Sequence, residues 1–237
     1  FTSYAQSFWG RSPEADRALQ LKLTHSTTVA EEMRQLAIDL QWSPSEVNIA
    51  QALGLLHDVA RFSQFVQYNT FSDRASFNHG EMGSEIAEVS PALASLTADV
   101  RRHILLGIKY HNALAIPQDV PPDSLPYVRL VRDADKLDIY RIVLEELQRE
   151  GFASLQRMLP DLTIDDALST KVIEDLIQAR AVSWSDVSSV GDFLLMQLSW
   201  VFDLWSSPAA KRMLQRDMVK KLVSFIPDHL ELSRLVD

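Results

Sequence analysis

Helix-start signals recur along this chain ahead of apolar runs, and no strand signal competes with them. Ser12-Pro13 sets a capping side chain before a proline whose fixed φ and missing N–H suit a helix's first turn. The run that follows, to about Leu40, carries Leu21, Val29, Met33 and Leu36 at helical spacing. Ser43-Pro44-Ser45-Glu46 is a capping box, in which Ser and Glu each satisfy the other's orphan backbone donor, ahead of Ile49, Leu53 and Leu56. Asn78 with Glu81 repeats that spacing before a helix through Val89, and Thr97 or Ser95 caps another to about Tyr110. Four prolines and little periodicity make 112–126 an irregular loop. Pro126 then opens a long helix that Gly151 stops, and candidate helices near 164–181, 186–205 and 208–225 follow, with Trp184, Trp200 and Trp205 among them. With no useful strand alternation and no internal repeat, the expected fold is all-α, in two parts: 1–150, and a helical cap or extension over 151–237 packed on it.

A chain of 237 residues buries roughly 70–75% of its unfolded surface, enough to hold polar groups inside a substantial core. Its residues, 46% hydrophobic and 23% charged, are those of an ordinary globular protein. The formal charge is −9, from 32 acids against 23 bases, and the bases form no run longer than a pair such as Arg101-Arg102 or Lys220-Lys221. Extended nucleic acid is therefore not an expected partner, because it requires a basic stripe to release its counterions. A small phosphorylated molecule, a nucleotide included, stays open, since one metal centre and one or two basic side chains neutralise it locally. Without cysteine there is no disulfide, thiolate ligand or thiol nucleophile. The longest nearly apolar stretch, Phe193 to Phe202, is interrupted by Gln197 and Ser199 and falls far short of the about 20 residues a bilayer needs. No membrane partner is expected, the expected location is cytoplasmic, and a homo-oligomer stays open. The chain begins at Phe1 with no initiator Met, which leaves open a removed N-terminal segment.

Polar residues on apolar helix faces carry the chemistry. His25 lies on the stripe Leu21, His25, Thr28/Val29, Glu32, Leu36, so its imidazole faces the core and needs a partner there. His57 and Asp58 end the apolar helix NIAQALGLLHDVARF. Adjacent side chains diverge by about 100° in a helix, yet both can bend toward a point beside it. Asp135, in VRLVRDADKLDIYR, shares a face with Val128, Val131, Ile139 and Ile142, while Asp133 points away from that line and is the reserve ligand. Two imidazoles and two carboxylates suit a divalent ion such as Fe, Mn, Ni, Co or Zn, with Mg admitted, better than they suit an all-oxygen calcium cage. Coordination is what makes burying such groups tolerable. Taken singly, each histidine also reads as a hydrogen-bonded core residue; the set in this order points to a metal.

The order His, then His-Asp, then Asp, in LTHSTTVAEEM, LGLLHDVARF and VRDADKLD, resembles the HD superfamily of metal-dependent phosphohydrolases over about residues 20–145. QYNTFSDR, FNHGEMG, KYHN and QLSWVFDL are similar to strings in bacterial HD domain proteins that carry no substrate assignment. The resemblance implies an HD-domain helical bundle over 1–150 with a metal on His25, His57, Asp58 and Asp135. His79, in the turn after Asn78, and His111, at the end of a helix sharing its face with Ile104 and Ile108, extend the set to an H…HD…H…H…D pattern. That pattern resembles binuclear members: cyclic dinucleotide phosphodiesterases, dinucleoside tetraphosphate hydrolases and diiron oxygenases. In this reading Asp58 bridges two ions, one on His25, His57, Asp58 and Asp135, the other on the second Asp58 oxygen with His79 and His111. His103 and His229 match no position.

The reaction implied is attack of metal-activated water on the phosphorus of a phosphomonoester, phosphodiester or pyrophosphate. Asp58, Arg61 and Lys136 are the expected catalytic residues. Arg61, one turn beyond Asp58, is placed to hold a phosphate by bidentate hydrogen bonds, and Lys136 directly follows Asp135. Arg74 is a further cationic candidate, Asp138 an expected acceptor orienting a ligand histidine, and Glu81 and Asp73 are candidates for the proton to the leaving group, neither with a spacing that compels the role. The chain departs from the HDxxE that nucleoside monophosphatases resemble, because Arg61 stands at the Glu position, and it lacks the HDxxED of guanosine tetraphosphate hydrolases. The same six ligands fit a mixed-valence diiron oxygenase, and a non-catalytic nucleotide-binding HD module is the third reading. Gln197, Trp200 and Asp203 are read as core rather than pocket.

Overall fold

The computed structural model describes residues 1–159, 161–164 and 168–226. Among them the chain is all-α, and the expected caps form. Helix α1 is Thr2–Gln6. Ser12 accepts from the Ala15 N–H to open α2, Pro13–Asp39. The capping box is complete at α3, Pro44–Leu56: the Ser43 N–H donates to Glu46 Oε2 at 2.8 Å and the Glu46 N–H to Ser43 Oγ at 3.4 Å. Helix α4 is Ala60–Tyr68, and Asn78 caps α5, His79–Glu88, by accepting from Gly80 and Glu81. Helix α6, Pro91–Ala94, is a single turn that ends at Ser95, so the cap of α7, Ala98–Tyr110, is Thr97. The irregular segment then leads to α8, Leu125–Glu150, which begins one residue before Pro126 and stops at Gly151 with φ of +65°.

Two compact units divide the chain inside α8, Phe1–Asp138 and Ile139–Asp237. In the first, α2 lies against α3 and α4, α3 against α7, and α5 against α4 and α7. Two glycines permit this closeness. A Cβ on Gly54 of α3 would stand 2.8 Å from the Ala30 Cα of α2, and one on Gly80 of α5 would stand 2.7 Å from the Lys109 carbonyl oxygen of α7. Both contacts are with backbone, which cannot give way. Leu19, Phe62, Ala5 and neighbouring aromatic residues of the first ten form a separate apolar cluster that seats α1.

The second unit holds α9 (Phe152–Met158), α10 (Thr170–Ile177), α11 (Val190–Ser199), α12 (Ser207–Gln215) and α13 (Met218–Val223). These are shorter than the sequence suggests. Residues 165–167, at the start of the expected 164–181 helix, lie outside the described residues. Helix α11 starts at Val190 because Ser189 caps it, while the Asp192 carboxylate accepts from Ser169 and Ser188. It passes into a 3₁₀ turn at Trp200–Asp203. The expected 208–225 helix breaks at Asp217, whose φ of +53° ends one helix and starts the next. Gln197 is buried, and its carbonyl accepts from Tyr140 Oη at 2.6 Å. The single β-bridge among the described residues, Thr163 to Ser189, builds no strand.

Candidate metal centre

Four imidazoles and two carboxylates meet inside the first unit, delivered by helix interiors, helix ends and one turn. His25 projects from the middle of α2, and His79 is the first residue of α5. His57 and His111 are the C-cap residues of α3 and α7. Asp58 lies in the turn joining α3 to α4, and Asp135 lies on α8. All four histidines and Asp58 are at most 5% exposed, and the Asp135 side chain is 16% exposed.

Around the first group, His25 Nε2 lies 3.2 Å from His57 Nε2, 3.1 Å from Asp135 Oδ1 and 3.6 Å from Asp58 Oδ2. His57 Nε2 is 3.6 Å from Asp135 Oδ1 and 3.7 Å from Asp58 Oδ2. Donors about 2.1 Å from a shared ion stand roughly 3.0 Å apart at right angles and about 3.4 Å apart at the tetrahedral angle. The separations of the His25, His57 and Asp135 atoms therefore suit one shared ion, with Asp58 Oδ2 beside the two imidazoles. The outer nitrogens are already used: His25 Nδ1 is 2.7 Å from Asp138 Oδ2, and His57 Nδ1 donates to the Gly54 carbonyl at 2.7 Å. Asp135 Oδ1 is buried without a hydrogen bond, close to His25 but misaligned with it. An orphaned carboxylate oxygen facing two imidazole nitrogens is the condition a cation relieves.

The second group repeats the design on the other Asp58 oxygen. Asp58 Oδ1 is 3.4 Å from His79 Nε2 and 3.6 Å from His111 Nε2, and those two nitrogens are 3.0 Å apart. His79 Nδ1 is 2.6 Å from Asp73 Oδ2, and His111 Nδ1 donates to the Ile108 carbonyl at 2.7 Å. The imidazoles form a row, with ring centroids 5.1 Å apart from His25 to His57, 5.0 Å from His57 to His111 and 4.8 Å from His111 to His79. Among the described residues, two donor sets lie close enough together for an ion, His25, His57 and Asp135, with Asp135 half-buried, and His57, Asp58 and His111; His79 and Asp133 belong to neither.

Protonation differs between the groups. Burial opposes charge on His25, but Asp135 and Asp138 outweigh it and lift the imidazole to about 9. Burial together with the Arg61 guanidinium presses His79 down to about 3, so its ring is neutral at pH 7. Burial also opposes ionisation of Asp58 and Asp135, yet Lys22, His57 and His111 hold Asp58 well below the usual carboxylate range, and His25 and His57 do the same for Asp135. Both carboxylates are anions available to a cation.

Other residues singled out in the sequence fall variously. Asp138 takes the expected place behind His25. Arg61 Nη1 donates to Gln64 Oε1, the Phe71 carbonyl and Asp73 Oδ1, at 2.6, 2.5 and 2.8 Å, and its Nε is 3.5 Å from Asp58 Oδ1. Lys136 is buried and Arg74 exposed. Asp73, one of the candidate proton donors, is partly buried, and His79 and Arg61 hold its carboxyl far below the usual range. Glu81 is exposed beside Glu85, Glu88 and Lys109 in a shallow depression. His103 binds Ser124 Oγ at 2.8 Å and stacks on Tyr127, and His229 lies outside the described residues.

One residue that sequence reasoning missed is Lys22. Its Nζ donates to Asp58 Oδ2 at 2.8 Å and stands 5.4 Å over the Phe71 ring, with the side chain 18% exposed. The cue was its place one turn before His25 on α2. The model of the HD domain family matches residues 23–140, the span that holds His25, His57, Asp58, His79, His111 and Asp135. No curated protein and no solved structure matches the chain.

Proposed function

This chain belongs to the HD domain family through residues 23–140, and from that premise we propose that it is a phosphohydrolase whose centre holds two divalent ions bridged by Asp58. The observation that carries this reading is the division of one buried carboxylate, with Oδ2 turned to His25 and His57 and Oδ1 turned to His79 and His111. A carboxylate placed so would hold both ions, because its two oxygens point in different directions. Asp135 completes the first group, and the second has fewer protein donors.

Divalent ions held there supply Lewis acidity, acidifying water and drawing charge from a phosphoryl oxygen. The chain's own residues do the rest. Asp138 and the Gly54 carbonyl fix the rings of His25 and His57, and Asp73 and the Ile108 carbonyl fix those of His79 and His111. Lys22 carries three N–H donors and, among the described residues, spends them on one hydrogen-bond acceptor, Asp58. Its remaining donors favour an anionic substrate at the partly exposed edge of the centre. Lys136, which directly follows Asp135 and is buried, is the second cationic candidate.

The substrate class this supports is a small phosphorylated metabolite or nucleotide. The test is phosphate release from a panel of nucleotides and sugar phosphates, with Mn²⁺, Ni²⁺ or Co²⁺ added to chelated protein. Release that depends on the metal supports the assignment, and inactivity across every metal and substrate overturns it.

A further inference from the structure

His79 differs from the other three imidazoles in what orients it. His57 and His111 are held by carbonyls of their own helices, and His25 by Asp138 of α8. His79 is held by Asp73, which opens a 3₁₀ turn at Asp73–Ala75 in the segment between α4 and α5. A turn this short has little stability of its own, so something else must fix Asp73.

Its neighbours do so on both oxygens. Asp73 Oδ1 accepts from Arg61 Nη1 at 2.8 Å and from Gln64 Nε2 at 2.9 Å. Asp73 Oδ2 accepts from His79 Nδ1 at 2.6 Å and from Asn112 Nδ2 at 3.2 Å. Gln64 is fully buried and also reaches Ser76 Oγ and the Phe77 carbonyl, while Arg61 reaches the Phe71 carbonyl. Two side chains of α4 therefore tie down the whole following segment around one carboxylate.

We propose that Arg61, Gln64 and Asp73 are positioning residues for the second ion, and that the segment from Asn69 to Asn78 is a working part of the metal centre. The chain of contacts runs from Arg61 and Gln64 to Asp73, from Asp73 to His79, and from His79 to Asp58 Oδ1. The proposal rests on the two-ion reading and makes the weaker ion depend on a loop while the first depends on helices. It gives Arg61 a structural reason to stand three residues after Asp58, with its Nη1 turned to the loop.

Manganese binding to the whole chain tests this. Unmodified protein should take up two equivalents and show the paramagnetic resonance of an exchange-coupled pair. Asp73→Ala should keep one ion with an uncoupled spectrum, its second-ion affinity lower by about 10–100-fold. Arg61→Met should shift the second ion in the same direction by less, and first-ion affinity should stay within about threefold in both, since metal-affinity losses follow the partner removed. Helical content and thermal midpoint report the fold, and isosteric Asp73→Asn, expected to lose about tenfold at the second ion, stands in if Asp73→Ala does not fold. Two equivalents with an unchanged coupled signal in the Asp73 variants would overturn the proposal and leave the two-ion reading standing. Loss of both ions together would also overturn it. If unmodified protein never exceeds one equivalent, the two-ion reading fails and takes this proposal with it.

Discussion

His57 and His111 do the same job from different helices: each caps its helix C-terminus and donates Nδ1–H to the carbonyl three residues back, Gly54 for one and Ile108 for the other. That single bond satisfies a helix-end carbonyl, fixes the tautomer and leaves Nε2 as a lone pair aimed inward. Each is paired with a histidine oriented by a carboxylate, His25 by Asp138 and His79 by Asp73. The two groups are thus built alike around Asp58.

Asp58→Asn should remove the bridge. The amide retains one acceptor oxygen and loses its negative charge, so it cannot serve both histidine pairs. Metal uptake should fall from two equivalents to one or fewer, with hydrolysis down by at least about 100-fold, the upper range for disturbing a metal site's surroundings. Metal analysis and phosphate release check this, and a variant with two ions and full activity would show that Asp58 bridges nothing.

Gly80→Ala tests the close approach of α5 to α7. The new methyl would meet the Lys109 carbonyl oxygen at 2.7 Å and the Asn112 side chain, so the helices must separate, and with them His79 and His111, now 3.0 Å apart at Nε2. Overpacking of this kind costs about 1–3 kcal/mol. A lower thermal midpoint and weaker uptake of the second ion are expected, and no change in either would show that the site has slack.

The donors offered by helices were legible because periodicity assigns each a face. His25 among Val29, Met33 and Leu36, and Asp135 among Val128 and Val131, could be read as inward without coordinates. The capping box at Ser43 and the cap at Asn78 likewise placed the helices that deliver His57 and His79. The 69–78 segment has no period to read, so the bonds of Arg61 and Asp73 were hidden and both residues drew roles that suit their charge rather than their neighbours. Lys22 was passed over because a lysine on a helix usually ends in water. Five of the chain's seven glycines lie inside helices, and four of these, Gly54, Gly80, Gly83 and Gly107, are in the helices around the centre, a costly choice that signalled close packing there.

Lys22→Met should separate substrate binding from metal binding. Removing the ammonium takes away a cation 2.8 Å from Asp58 Oδ2, so metal uptake should hold or tighten. An anionic substrate loses a charge-assisted partner, worth about 1.5–3 kcal/mol, and KM should rise by about tenfold or more. Steady-state kinetics with measured metal content decide it; an unchanged KM would confine Lys22 to neutralising Asp58.

Metal uptake should release a proton at the first group and none at the second. His25 titrates near 9 in the folded chain against 6.5 for an ordinary imidazole, because Asp135 and Asp138 outweigh the burial that opposes its charge. In chelated protein this raised value stabilises the fold fully below pH about 6.5 and is lost as pH rises through about 9, so the thermal midpoint should fall across that window. A bound ion takes the place of that proton. First-ion affinity should therefore climb by about tenfold per pH unit up to the region of 9 and then level off. His79, held near 3 by burial and Arg61, has no proton to give at pH 7. Titration calorimetry at pH 7 in two buffers of different ionisation enthalpy should return about one proton for the first ion and none for the second. Equal release from both ions would mean that the two histidines share one environment, against the asymmetry of Asp138 behind one and Asp73 with Arg61 behind the other.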